Sequence, residues 1–241
     1  MTEVLPPKRF PILGTILCMI GVLILIVLGF WQVERLEWKK KLQQEIDKAF
    51  AGEPNVIQPI DLENFKEGQI LRGQLSGTVD VTKSIVLQGK IVGGQSAVSI
   101  VAPMTYGTKT LMLELGCSKP TEARNIIESL TSDVGVRDIS ATGVIRFPTW
   151  SRFAPNNEIE KNQWWRLDSK QIGKFWNLDS LSPFIMTAEA IDFNIPNLEP
   201  CPFDKTLRNN HLHYAIFWFT MGFVLLAMWG LRFLKPYLQS A

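Results

Sequence analysis

The chain has 241 residues, of which 46% are hydrophobic, and its formal net charge at pH 7 is +2. The hydrophobic residues are concentrated near the two ends, whereas residues 34–210 carry 21 Lys plus Arg against 22 Asp plus Glu. Because this central region has no excess of basic residues, we expect no nucleic-acid partner.

Common catalytic signatures are absent from the sequence. It contains no glycine-rich phosphate loop, no G-x-S-x-G elbow and no H-E-x-x-H pair. The two histidines, His211 and His213, lie beside an apolar run near the C-terminus, which excludes a Ser-His-Asp or Cys-His centre in the central region. We therefore expect a protein that is not an enzyme, with carboxylate-only chemistry as the remaining alternative.

Two uncharged runs predict membrane-spanning helices at residues 10–33 and 211–231. The first run covers 24 residues, more than the roughly 20 that a helix needs to cross hydrocarbon. It is followed by no small-residue cleavage site, so an uncleaved anchor is favoured over a signal peptide. The second has 18 uncharged residues at 214–231 whose aromatic residues and glycines follow no polar/apolar alternation. A span is therefore favoured over a buried core helix.

Basic residues outside the spans indicate the orientation. The tails, residues 1–9 and 232–241, carry four Lys or Arg against one Glu, so the positive-inside rule predicts that both termini are cytoplasmic. Basic residues also flank the spans on the loop side, but the loop is far longer than the roughly 60 residues over which the rule operates. We expect residues 34–210 to form a domain outside the cytoplasm.

The central region predicts an α+β domain. Alternating runs between glycine-rich turns predict antiparallel strands at residues 69–75, 83–88, 97–102 and 110–115, followed by strands at 139–147 and 183–188. Helices are expected at residues 121–130 and 168–176, and good helix formers extend the first span to Ala51. The expected fold is a small antiparallel sheet or open barrel flanked by two transmembrane helices.

The three cysteines show no metal-site spacing. Cys18 lies in the first apolar run, and Cys117 and Cys201 are isolated in the domain, so no zinc, iron–sulfur or copper site is expected. Cys117 and Cys201 are able to pair in an oxidising compartment, but two separate buried thiols are the favoured interpretation.

The start of the second span holds a candidate ligand. On a helix that begins here, His213 points about 200° away from His211. The face of His211 is shared by Tyr214, Ala215, Trp218 and Gly222. A neutral imidazole beside aromatic rings and a glycine suits axial ligation of a porphyrin. The alternative is an interfacial belt of histidine and aromatic residues with no ligand.

A loop at residues 146–168 is dense in aromatic, amide and charged side chains. Such a segment suits docking of a partner, or the holding of a propionate by Arg152 or Arg166. An ordered loop, in which Asn side chains complete turns and tryptophans fill the edge of the sheet, is equally open.

Three segments match, in order and spacing, the motifs of one protein family. Residues 28–39, LGFWQVERLEWK, are similar to the family's L-G-x-W-Q-x-x-R-x-x-W-K. Residues 210–218, NHLHYAIFW, resemble its H-L-x-Y-A-x-x-W motif and carry His211 over to the family histidine. The middle segment, F-x-P-x-N…N-x-W…D, is matched by Phe153, Pro155, Asn157, Asn162, Trp164 and Asp168. Residues 114–120, ELGCSKP, keep only the glycine and proline of the family's N-R-G-W-x-P strand end, which indicates a divergent, bacterial-type member.

Through these three segments the chain resembles the Surfeit locus protein family of cytochrome c oxidase assembly factors. The resemblance implies a protein of the cell inner membrane with a periplasmic domain, acting in the biogenesis of oxidase subunit I. For some members it implies insertion of haem a, which would be bound transiently. The implied partners are cytochrome c oxidase subunit I, the haem a synthesis enzymes and membrane lipid.

The resemblance also assigns roles to residues. His211 would ligate the haem iron. Trp31, Tyr214 and Trp218 would shape the site, and Arg35 or Arg208 would pair with propionates. The six residues of the middle segment would bind a partner. Two other functions stay open at this point: a haem-free membrane scaffold that stabilises subunit I through the central loop, and a membrane enzyme or sensor that uses carboxylates.

Overall fold

The computed structural model describes residues 11–132 and 135–235, which divide into two compact units. One unit is built from residues up to 43 and from 206 onward, and the other from residues 44–205. The predicted tail at residues 1–9, and residues 236–241 of the second tail, lie outside the described residues.

The described elements follow in chain order. They are α1 (Ile12–Phe50), β1 (Asn55–Val56), α2 (Pro59–Glu63), β2 (Leu71–Asp80), β3 (Ile85–Val92), β4 (Gln95–Tyr106), β5 (Lys109–Ser118), α3 (Ala123–Ser132), β6 (Val136–Arg146), β7 (Gln163–Trp164), α4 (Ser169–Phe175), β8 (Ile185–Ile191) and α5 (His211–Trp229). The last helix continues as a π-helical segment, Gly230–Leu234.

The first unit contains two helices that are long and apolar enough to cross a membrane. They are α1 and the continuous helix from His211 to Leu234. Only 11% of the most apolar window of each helix is buried inside the protein, whereas the core helix of a soluble protein would be mostly buried. The exposed apolar surface is therefore what lipid would cover.

The second unit is a five-stranded barrel. β2 pairs with β6, β6 with β8, β8 with β5, and β5 with β4. The far end of β4 returns to β2 and closes the ring. The predicted α+β class is confirmed, but the barrel is closed rather than open. It is also not wholly antiparallel, since β5 and β8 run parallel, as do the added pairs β1–β2 and β3–β7.

Alternation along β5 separates two apolar clusters. Leu111, Leu113 and Leu115 point into the barrel and join its main core. Met112 lies on the opposite face, where a second cluster includes Trp164 and lies beneath α4. Helix α3 covers the main core with an apolar stripe that includes Ala123, Ile126 and Leu130. The period of two in the strand thus places the segment 163–176, which contains β7 and α4, against the outside of the barrel.

Each predicted strand and helix of the domain is present, and the predicted strands are shorter than the observed ones. The strand expected at residues 69–75 runs over 71–80, because its polar second half is paired with β6. The elements that were not predicted, β1, α2 and β7, have two to five residues each. Such short segments carry too little periodicity to be recognised.

The cysteines differ from the sequence interpretation. Cys117, at the end of β5, and Cys201 form a disulfide, with their Cα atoms 4.9 Å apart. The expectation of two separate thiols is therefore wrong. The backbone of Cys117 also exchanges two hydrogen bonds with Glu199, so pairing of the segment before Cys201 with β5 brings the two sulfurs together. Cys18 is free.

Candidate functional site

The start of α5 is fastened to α1 by a ladder of polar contacts within the first unit. The ladder residues on α1 recur at spacings of three and four, which places them on one face of the helix. The contacts are Gln43 Oε1 with Leu207 N at 2.8 Å, Lys39 Nζ with the Arg208 carbonyl at 2.6 Å, the Leu36 carbonyl with Asn209 Nδ2 at 3.4 Å, and Gln32 Oε1 with His211 Nδ1 at 2.6 Å.

His211 is the first residue of α5, and its ring is partly buried. Its Nδ1 atom is hydrogen-bonded to Gln32, whose side chain is only 8% exposed. An amide oxygen can only accept, so Nδ1 is the donor in this arrangement, and in the neutral ring Nε2 keeps its lone pair. Within the described residues Nε2 has no hydrogen-bond partner. His211 therefore presents an imidazole nitrogen that is free to ligate a metal.

Two buried polar atoms near His211 lack partners among the described residues. They are Trp218 Nε1 and Asn209 Oδ1. Trp218 lies seven residues after His211, about 10 Å along the helix axis, and it is partly buried like His211. A buried indole N–H without an acceptor costs free energy. A ligand with an oxygen at this level would remove that cost.

The other residues that were predicted to hold haem face outward. Tyr214 is 54% exposed and Trp31 is 53% exposed. Arg35 stacks on Trp38, with its guanidinium carbon 4.0 Å from the ring centroid. The side chain of Arg208 is exposed, while its backbone carbonyl belongs to the ladder. The structure thus brings His211 and Trp218 to the α1-facing side of α5 and leaves the remaining four at its edges or on the surface.

Asn157, in the central loop, braces the backbone around it. Its Oδ1 accepts hydrogen bonds from the backbone N–H groups of Trp165 and Arg166, at 2.8 and 2.9 Å. Its Nδ2 donates to the Arg166 carbonyl at 3.0 Å and to Gln171 Oε1 at 2.9 Å. All four polar positions of the amide are used by the loop and by α4, so the side chain offers nothing to a partner.

Three further residues of the same motif have structural contacts. Asn162 adopts a left-handed backbone conformation, with φ of 52°, and its side chain bonds the Ser84 carbonyl and Trp164 Nε1. Trp164 is 0% exposed in the outer apolar cluster. Asp168 caps α4 by accepting from the backbone N–H groups of Lys170 and Gln171.

The remaining two residues of the motif lie on the surface. Phe153 is 91% exposed, and Pro155 is exposed as well. Trp150, which the sequence analysis did not single out, is 44% exposed in the same loop. Of the six residues predicted to bind a partner, Phe153 and Pro155 are therefore the ones that the structure leaves accessible.

The altered strand end at residues 114–120 contains a buried ion pair. The carboxylate of Glu114 lies 2.6 Å from Lys90 Nζ, and Thr187 donates a hydrogen bond to it at 2.7 Å. Burial alone would raise the pKa of Glu114, but the charge of Lys90 and the hydrogen bonds from Lys90 and Thr187 outweigh it and lower the pKa. Because its side chain is fully buried and paired inside the domain, Glu114 is inaccessible to a substrate.

The chemistry of the helix pair fits a porphyrin better than a bare metal ion. Among the described residues no group of three or more His, Cys, Asp and Glu is placed to hold a metal. A haem needs only one protein nitrogen, because its macrocycle supplies the other four. The structure leaves His211 Nε2 without a partner among the described residues, and Trp218 Nε1 is likewise a donor without an acceptor there.

Comparison with known proteins places the chain in a family. The model of the SURF1 family matches residues 19–223. A SURF1-like protein of Rickettsia conorii is 29% identical over 215 residues, covering 86% of this chain and 85% of that protein. A SURF1-like protein of Dictyostelium discoideum is 25% identical over 236 residues, covering 81% and 87%. Surfeit locus protein 1 of Mus musculus is 23% identical over 229 residues, covering 86% and 72%. The matched span contains the whole barrel and the greater part of both apolar helices, and the chain therefore belongs to the SURF1 family of cytochrome oxidase assembly factors.

Proposed function

We propose that this protein assists the insertion of haem a into subunit I of a haem-copper cytochrome c oxidase, as a carrier rather than an enzyme. The observation that supports this most strongly is His211, whose Nδ1 is engaged by Gln32 while Nε2 is left with its lone pair. Haem a is the cargo in this proposal. It arrives from the haem a synthesis enzymes and leaves for subunit I.

Different residues of α1 and α5 bind different parts of the cargo. His211 ligates the iron through Nε2, and Trp218 donates its indole N–H to an oxygen of the macrocycle's substituents. Arg208 and Lys39, at the polar end of the ladder, supply positive charge for propionates. A carrier must release what it binds, and ligation by a single neutral imidazole allows release.

The location we propose is the cell inner membrane, with both termini cytoplasmic and residues 34–210 periplasmic. The two apolar helices and the excess of basic residues in the tails support it. The Cys117–Cys201 disulfide adds an independent argument, since disulfides persist in oxidising compartments and are rare in the cytosol.

An absorption spectrum of the detergent-purified protein, co-produced with haem a synthesis enzymes, tests the proposal. We expect a haem a band in the parent and its loss in His211→Ala. The matched control is His213→Ala, because His213 is exposed on another side of the same helix and should leave the band unchanged. Absence of a band in the parent, or equal bands in the parent and His211→Ala, would contradict the carrier role of His211.

A second candidate function is a haem-free scaffold that stabilises subunit I. The exposure of Phe153 on a loop braced by Asn157 favours it, because a pre-ordered aromatic side chain is a common anchor at protein interfaces. Phe153→Ala removes the anchor without touching the core. Loss of subunit I co-purification in this variant, with no haem in the parent, would replace the carrier proposal with the scaffold.

A further inference from the structure

Gln32 is a buried amide on the apolar face of α1. It is 8% exposed, and its helix neighbours toward the N-terminus form an uncharged run. Burying an amide without hydrogen bonds costs free energy, because its polar atoms lose their contacts with water. Packing alone would be served better by Leu or Met, so the amide at this position calls for a specific partner. The partner that it has is His211, at 2.6 Å.

The contact fixes both the orientation and the tautomer of the imidazole. A neutral imidazole has one proton, and an acceptor at Nδ1 places that proton on Nδ1. The lone pair is then on Nε2. In metalloproteins a histidine ligand is held in this way by a partner on its other nitrogen. The common partners are a carboxylate, a backbone carbonyl or water, whereas here the partner is an uncharged amide oxygen.

We propose that Gln32 is the positioning residue for His211: it holds the ring with Nε2 unprotonated and aimed away from α1, and so sets how tightly the cargo is retained. This inference rests on the proposed function, since it concerns the same histidine. A neutral acceptor polarises the imidazole less than a carboxylate does. Gln32 therefore pre-organises the ligand without making it a strong donor, which suits transient binding.

The rest of the ladder shows that this role is separate from helix pairing. Gln43, three turns further along α1, makes a comparable amide contact, but its partner is the backbone N–H of Leu207. Both glutamines join α1 to the same chain segment, and only Gln32 contacts the candidate ligand. The pair therefore offers a matched comparison of helix fastening with histidine positioning.

The first test uses haem-free protein in detergent with ¹⁵N-labelled histidine. The chain has two histidines, and the spectrum of His213→Ala assigns the signals of His211. In mildly alkaline buffer we expect protonated Nδ1 and unprotonated Nε2 in His211. In Gln32→Leu this preference should weaken. A parent ring protonated at Nε2 would mean that the amide is turned to donate, which would overturn the inference.

The second test is haem titration followed by absorbance. Loss of an outer partner of a histidine ligand typically weakens metal affinity about 10–100-fold, and we expect a loss of this size in Gln32→Leu. Gln32→Glu keeps an acceptor at this position. It should bind haem at least as tightly as the parent and lose haem to apomyoglobin more slowly. Gln43→Leu should bind like the parent.

The outcomes separate this inference from the proposed function. If the parent binds no haem, the carrier function fails, and the role of Gln32 fails with it. If the parent binds haem through His211 but Gln32→Leu binds equally well, only the positioning role fails. If Gln32→Leu and Gln43→Leu weaken binding to the same extent, the effect comes from helix pairing, which also overturns the positioning role.

Discussion

Asn157→Ala tests whether the central motif binds a partner or braces its own loop. The substitution removes four hydrogen bonds of 2.8 to 3.0 Å and leaves two backbone N–H groups without acceptors. Each bond contributes roughly 0.5–1.5 kcal/mol net. Because the site is only partly buried, water will replace some of them. We therefore expect a loss of about 2–4 kcal/mol in the free energy of unfolding.

Thermal unfolding of the full-length protein in detergent measures this loss. For a domain of this size, about 2–4 °C of midpoint shift corresponds to 1 kcal/mol, so the midpoint should fall by about 4–16 °C. Asn156→Ala is the matched control: its side chain is exposed, and its effect should stay within about 0.5 kcal/mol. If Asn157→Ala unfolds like Asn156→Ala but no longer co-purifies with subunit I, the side chain binds the partner and our interpretation is refuted.

Two further predictions concern the barrel. The pKa of Glu114 is lowered in the folded state. Its contribution to the free energy of unfolding is therefore present above the ordinary carboxyl pKa and is lost as pH falls through the folded-state pKa. In urea unfolding from pH 7 to pH 3, Glu114→Gln should lose less stability on the acid side than the parent does. Equal slopes would contradict the assignment. Cys201→Ser removes a disulfide between residues 84 positions apart and should lower the free energy of unfolding by about 2–5 kcal/mol. Dithiothreitol should lower the stability of the parent but not of this variant. A parent whose stability is insensitive to dithiothreitol would argue against the disulfide.

The strands were predictable because their inward faces are uniformly apolar. In β5 every second residue from Leu111 to Leu115 is a leucine, and this period of two is legible without a structure. The second half of β2 was not predictable. There Ser76 and Thr78 face outward and bond Ser140 and Asp138 of β6. Such polar cross-strand pairs depend on a partner 60 or more residues away, which local pattern does not reveal.

The disulfide and the central loop show a different limit. Cys117 and Cys201 meet because Glu199 pairs with the end of β5, a tertiary contact that the spacing of two cysteines does not specify. In the loop, motif spacing drew attention to Asn157, Asn162 and Asp168 but did not reveal what their side chains bond. An amide that completes a turn and an amide that binds a partner have the same sequence signature. Contacts alone distinguish them.

The first and third family motifs are two halves of one arrangement. Gly29 of the first motif lies against Phe219, and a Cβ atom at residue 29 would come within 2.5 Å of that ring, so glycine permits the close approach of the two helices. Three residues later, on the same face of α1, Gln32 meets His211. Neither motif specifies this contact by itself, because a histidine at a membrane edge is ordinary and the partner of a buried glutamine lies outside its own motif. Their meeting at 2.6 Å makes the pair specific. Gly29 and Gln32 are three residues apart because one must leave room for Phe219 of α5 and the other must reach His211 of α5. A substitution in one motif should therefore be tolerated only with a matching substitution in the other.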